Sequence, residues 1–291
     1  MSKFVLSCCT TTDVNKQFLL EKGIEFARFH YFLNDVEYID DFGEQIPYEE
    51  FYDRMEQGET TRTSQVNVQE FCDHFEKYLK EGKDIIHITL SSGISGTYNS
   101  ACIARDMVLE NYPDRKICII DSLGASSGYG LLVGKVADLK NSGASFEEVC
   151  TYAEKLIPTM RYWFFSTDLK YFVRGGRISK AAGFFGSLLK ICPLLHVSEE
   201  GKLVVKEKVI SKKRVIKAIV DKMKALAADG LDYNQECYIS HSRVIEDATE
   251  VKNLIETSFP KMKGKVRIFD IGTTIGSHTG PGTVALFFVG K

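Results

Sequence analysis

No segment of this chain approaches the roughly 18 uninterrupted apolar residues of a membrane-spanning helix. Neither sign of charge dominates. The 37 Lys and Arg against 39 Asp and Glu leave a formal net charge of −2, so nothing global favours nucleic acid as a partner. The chain has no CxxC pair, no HExxH and no cysteine at metal-ligand spacing from a histidine, so neither a metal nor a cofactor is expected. The eight cysteines are dispersed and read as reduced thiols that behave mostly as small buried hydrophobes. The opening MSKFVLSCCT is too short for a signal peptide, and a cytoplasmic protein is expected.

What the chain does have is an apolar fraction of 44% and a length of 291 residues. That is about twice a typical single domain, so two domains are expected. Short β-type runs alternate with helical patterns, which argues for α/β layers. KFVLS reads as the first strand, followed by a hydroxyl-rich turn in which Asp13 serves as N-cap of a helix ending at Gly23. EFARFHYF reads as a strand, and Pro47 opens a helix that stops at Gly58. ETTRTSQVN reads as a polar turn. Asn67 with Glu70, and Ser145 with Glu148, have the spacing of capping boxes. DIIHIT and KICIID read as buried strands, each delivering a small-residue turn and a helix. Beyond Pro158 the texture changes to the aromatic strand RYWFFS, a short helix in LKYFVRGGRIS and a hairpin turning at Glu200-Gly201. A lysine-rich helix, two further strands with a helix between them, the glycine-rich loop GTTIGSHTGPGT and a last strand VALFFVG follow. The domain boundary is placed near residue 158, giving 1–158 and 159–291.

LSSGISGTYNSA, residues 90–101, lies where a strand hands over to a helix and carries the most chemistry. A phosphate loop needs a lysine after its last glycine, and here Thr97 follows Gly96. A serine-hydrolase elbow G-x-S-x-G needs a glycine at 97, so the glycine at 96 comes one position early. A triad of Ser95, His278 and a carboxylate such as Asp121 stays open, since triads are defined by geometry. The third reading is a helix N-terminus whose hydroxyls and N–H groups hold a carboxylate. The fourth is simple capping. TRTSQ and GTTIGSHTGPGT repeat the same small, hydroxylated chemistry around Thr63 and His278.

The set TSQ (63–65), SSGISGTY (91–98), IIDS (119–122), YFVRGGRIS (171–179) and GSHTGPGT (276–283) resembles, in order over nearly the whole chain, the DegV family of bacterial fatty-acid-binding proteins. The resemblance implies two α/β domains, the first with a mainly parallel sheet flanked by helices and the second with a mixed sheet. They would clasp one long-chain fatty acid in a tunnel near the domain junction. It also implies that Thr63 and Ser95 hydrogen-bond the carboxyl group, with Ser64 and Gly96 beside them and with His278 and Thr279 approaching from the C-terminal loop. Protonated His278 or a water-bridged Arg177 would offset the charge, although Arg177 is expected chiefly to brace its loop. Family members present the acid to a separate fatty acid kinase for acyl-phosphate formation and phospholipid synthesis, so no chemistry is expected of this chain. The rival readings are an esterase or thioesterase using Ser95 and His278, and a carrier of another lipid. Two departures stand out. Val66 occupies a position where the family often has proline, and CCTTTD replaces the usual serine and aspartate element, leaving the role of Thr10 to Thr12 open.

A fatty acid also suits the energetics. Each buried methylene is worth about 0.8 kcal/mol, against about 1 kcal/mol net for a neutral hydrogen bond, so the tail supplies affinity and the polar residues orient the head. Candidate linings are Phe164, Phe165, Phe172, Phe184, Phe185, Leu188, Leu189 and Ile191. Lys202, Lys206, Lys208, Lys212 and Lys213 begin a basic segment that reads either as a solvated face or as a docking surface for an acidic kinase or, transiently, an anionic membrane.

Overall fold

The structure is a computed structural model and describes residues 4–179 and 191–291. Phe184, Phe185, Leu188 and Leu189 lie outside the described residues. In chain order the first elements are β1 (Phe4–Cys9), α1 (Lys16–Glu21), β2 (Ile24–Ala27), β3 (His30–Leu33), β4 (Val36–Ile39), α2 (Tyr48–Glu56) and β5 (Thr61–Ser64). Next come α3 (Val68–Leu79), β6 (Asp84–Thr89), α4 (Thr97–Leu109), β7 (Ile117–Asp121), α5 (Ser126–Asn141) and α6 (Phe146–Leu156). The remainder is β8 (Met160–Ser166), α7 (Lys170–Arg174), β9 (Ile191–Val197), β10 (Leu203–Ile210), α8 (Lys212–Leu226), β11 (Cys237–His241), α9 (Ile245–Ser258), β12 (Val266–Asp270), α10 (Thr273–Thr279) and β13 (Thr283–Val289).

β2-β1-β6-β7 form a parallel sheet, as the βα alternation of that region requires. β10-β9-β8-β13-β11-β12 form a mixed sheet, antiparallel except for β11 with β12. The two sheets agree with the expected fold class. Both predicted capping boxes are formed, at Asn67 with Glu70 and at Ser145 with Glu148, and the hairpin turns at Glu200-Gly201.

Four local expectations are corrected. EFARFHYF is two strands in different sheets: β2 joins the parallel sheet, while β3 centres a three-stranded antiparallel sheet, β4-β3-β5. TRTS is therefore an edge strand of that small sheet and not a turn. GTTIGSHT is helix α10, because Gly276 lets it lie against Tyr52, whose hydroxyl would sit 2.4 Å from an added Cβ. Asp13 does not cap α1, a task that falls to Asn15. Asp13 is buried, accepting from Ser126 Oγ at 2.5 Å, and is tied to the other half of the chain by the Gly272 N–H at 3.0 Å.

The chain leaves β1 toward β2 on one side and leaves β6 toward β7 on the other, so the strand order reverses between β1 and β6. In open parallel sheets the crevice beyond the carboxyl ends of such strands is where ligands sit. Leu90 and the SSGISGT turn emerge from β6 at that point.

Candidate functional site

A cavity of about 340 Å³ opens there, near the lower end of the roughly 300–1,000 Å³ usual for small-molecule sites. Phe29, Leu90 and Ile94 wall it from the parallel-sheet side, Phe164 and Phe287 from the mixed sheet, and Phe172 from α7. The polar part of the wall includes Thr63, Ser64, Gln65, Ser95, Arg177, His278 and Thr279, with Ser126, Thr274 and Thr283. Six of the seven residues nominated for the ligand are thus brought to one cavity from β5, the turn before α4, the turn after α7, and α10. Gly96 is not in the wall. It starts α4, and its missing side chain makes room for the Gln65 amide, whose Oε1 would lie 2.8 Å from a Cβ there. Of the nominated aromatics, Phe164 and Phe172 line the cavity, whereas Phe165, on the opposite face of β8, is fully buried in the core.

β5 pairs with β3 so that Thr63 stands opposite Tyr31. Its Oγ1 meets His278 Nε2 at 2.7 Å. The imidazole packs over Gly175, where a Cβ would come within 2.3 Å of Nδ1, and Nδ1 is buried with no hydrogen-bond partner. Burial first, then the positive charges of Arg177 and Arg174, push His278 down to about 3. The ring is therefore neutral, which corrects the expectation of a protonated His278. Positive charge at the site belongs to the two arginines. Arg177 donates to the carbonyls of Ile94 and Gly175, and it braces the loop as the sequence suggests while still lining the cavity. A buried unpaired N–H is rarer and costlier than an unpaired acceptor. The neutral ring accordingly carries its proton on Nε2 and donates to Thr63, leaving the Thr63 hydroxyl proton free to point into the cavity.

Ser95 accepts the Thr97 N–H at 3.2 Å, and its hydroxyl approaches Gln65 Oε1 at a long 3.5 Å. The serine thus caps α4 and also faces the cavity. Among the described residues Ser95 has no hydrogen bond to a histidine base, and His278 Nε2 is engaged by Thr63.

Gln65 is a wall residue that the sequence places in the TSQ motif without assigning it a role at the ligand. Its amide donates to Ser100 Oγ at 2.9 Å, which fixes the oxygen toward Ser95. The signal available was its place beside Thr63 and Ser64 in one motif.

The rest of SSGISGT is a socket for the β9-β10 hairpin. Ser91 Oγ donates to the Gly201 carbonyl at 2.8 Å and accepts the Gly93 N–H at 3.1 Å. A Cβ on Gly93 would meet Glu200 O at 2.5 Å. One on Gly201, at φ +70°, would meet Ser91 Oγ at 1.9 Å. Val197 and Leu203, flanking the hairpin turn, complete the cavity wall.

The nominated lysines sit elsewhere: Lys202 in the hairpin turn, Lys206 and Lys208 on edge strand β10, and Lys212 and Lys213 at the start of α8. Lys212 is paired with Asp247 at 3.0 Å. Among the described residues no helix is long and apolar enough to cross a membrane.

The DegV family profile, which describes its members only as uncharacterised proteins, matches residues 9–291. The DegV domain-containing protein CPE0026 of Clostridium perfringens is 36% identical over 290 residues, covering 100% of this chain and 98% of that protein. Among solved structures, protein TM841 of Thermotoga maritima, characterised by a fatty acid binding function, is 27% identical with a TM-score of 0.83, covering 99% of this chain and all of its own. The fatty acid binding DegV family protein SAG1342 of Streptococcus agalactiae is 26% identical with a TM-score of 0.85, covering 100% of both chains. The sequence match from end to end and the shared architecture agree, and the chain belongs to the DegV family.

Proposed function

We propose that this chain binds one long-chain fatty acid, with the carboxyl group at Thr63, Ser95 and His278 and the tail along the aromatic wall. The observation that carries this reading is the pairing of Thr63 with a neutral, buried His278 at the polar part of an otherwise apolar cavity. A carboxylate at that place receives the Thr63 and Ser95 hydroxyls, while Arg177 and Arg174 supply the compensating charge that a buried anion needs. The fatty acids bound by the Thermotoga and Streptococcus agalactiae relatives support the ligand class.

The test is native mass spectrometry of the freshly purified protein, followed by titration with oleate. A protein that carries no acid and takes none up sinks the reading. Thr63→Val removes the cavity-facing proton, and loss of one charge-assisted bond weakens binding by roughly 10- to 100-fold. Unchanged affinity in a folded Thr63→Val protein would show that the head group lies elsewhere.

The finer part of the proposal is that the chain acts as a carrier, performs no chemistry and hands the acid to a separate fatty acid kinase. It rests on the family resemblance and on Ser95 having no hydrogen bond to a histidine among the described residues. Ester hydrolysis that disappears in Ser95→Ala would overturn it. The lysines of β10 and α8 are the proposed docking face. Reversing charge at Lys206 and Lys213 lowers the rate of acyl-phosphate formation by the kinase and leaves fatty acid affinity unchanged.

A further inference from the structure

We infer that Cys118 and Cys150 are a peroxide-sensitive thiol pair, a modification site that closes into a disulfide between edge strand β7 and helix α6. Helix α6 is set on β7 by Lys116 Nζ, which meets Glu147 Oε1 at 2.6 Å. Two residues further along, Cys118 returns to the same face of the strand, and three residues beyond Glu147, Cys150 lies on the same face of the helix. The thiols are therefore the next contact in that register. The packing agrees: Cys118 and Cys150 lie against one core cluster, while Ile117 and Ile119, on the other face of β7, belong to a second. The Cys118 and Cys150 side chains are hydrogen-bonded to each other.

Both thiols are free and only partly buried, and β7 ends its sheet, so a small oxidant can reach them. The bond from Cys150, helped by Arg105, holds Cys118 below its ordinary value against burial and Glu154. Burial pushes Cys8, Cys9, Cys72, Cys192 and Cys237 the other way. The thiolate is the nucleophile, so oxidation selects Cys118. The Cys118 thiolate attacks hydrogen peroxide, the O–O bond breaks, and a sulfenic acid forms with release of hydroxide. The Cys150 thiol then attacks that sulfur and the S–O bond breaks. Hydroxide leaves and takes up the Cys150 proton as water. Two thiols are oxidised by one electron each, and one peroxide is reduced by two.

The experiment treats the full chain with hydrogen peroxide, alkylates the remaining thiols and maps peptides without reduction. The expected result is a Cys118–Cys150 cross-linked peptide lighter by two hydrogens, reversed by dithiothreitol, with a raised thermal midpoint in the oxidised protein. In Cys150→Ala, Cys118 is instead trapped by dimedone as the sulfenic acid. The inference is overturned if both thiols stay alkylatable at a dose that oxidises the exposed Met107, or if Cys118 proceeds to sulfinic acid with no cross-link. The readout on the unaltered chain does not depend on any variant folding.

Discussion

Two buried polar clusters hold this molecule in different ways. Inside the parallel sheet, Ser7 Oγ bridges His74 Nε2 at 2.7 Å and His87 Nδ1 at 3.0 Å, and His87 Nε2 reaches Cys9 Sγ at 3.6 Å. Phe71 and Phe75 pack edge-on around the His87 ring. At the seam between the two large sheets, Asp13 accepts from Ser126 and Gly272, and Asp40 accepts from Thr274 Oγ1 at 2.6 Å. Desolvation disfavours the charged form in both clusters, but the proton balance is opposite. Burial pushes His74 down to about 4 and His87 well below its ordinary value. It pushes Asp13 and Asp40 up. The depressed histidines contribute stability that is present above their unfolded value and lost as pH falls toward the folded one. The raised carboxyls contribute stability that is full below their unfolded value and lost as pH rises through the folded one. One fold is therefore limited from the acid side by its interior and from the alkaline side by its seam.

The largest effect expected is at the seam. Asp13→Ala strands the Gly272 N–H and leaves the Ser126 hydroxyl with Ser240 alone, at a cost of roughly 2–4 kcal/mol in urea unfolding, and Asp13→Asn recovers most of it. A cost within about 0.5 kcal/mol, the usual surface value, would show that the seam is not held there. The next effect concerns the acid limb. Between its ordinary 6.5 and the folded value of about 4, His74 accounts for a loss on the order of 3 kcal/mol. A His74→Phe protein should have a visibly shallower decline over that window, and parallel pH profiles would break the comparison. The smallest is Ser7→Ala, which removes the bridge and costs about 1 kcal/mol with the acid slope kept. A steeper or flatter slope would mean that the two histidines titrate through the serine.

What the sequence made legible follows the range of each interaction. Capping boxes, the hairpin at Glu200-Gly201 and the aromatic strand are set by neighbours within a few residues, and each forms as read. TRTS has the local composition of a turn, because its strand character comes only from pairing with β3, about thirty residues away. α10 has the local composition of a loop, because its glycines and hydroxyls suit burial under Tyr52 and carry no helical periodicity of their own. At the site, the chemistry of Thr63, Ser95 and His278 was visible in the motifs, whereas the charge state of His278 was not. That depends on Arg174, Arg177 and burial, none of which adjoins it in sequence.

The hairpin socket has a consequence for how ligand occupancy should be understood. Gly93 and Gly201, 108 positions apart, must both lack side chains for Ser91 to reach the turn, and that contact brings Val197 and Leu203 to the cavity rim. The container is thus completed by a joint between distant parts of the chain. Under the proposed function, a tail touching both sides would work as a gasket: its retention would measure how tightly the joint is closed, and a fault in either glycine is expected to appear as leakage before it appears as unfolding.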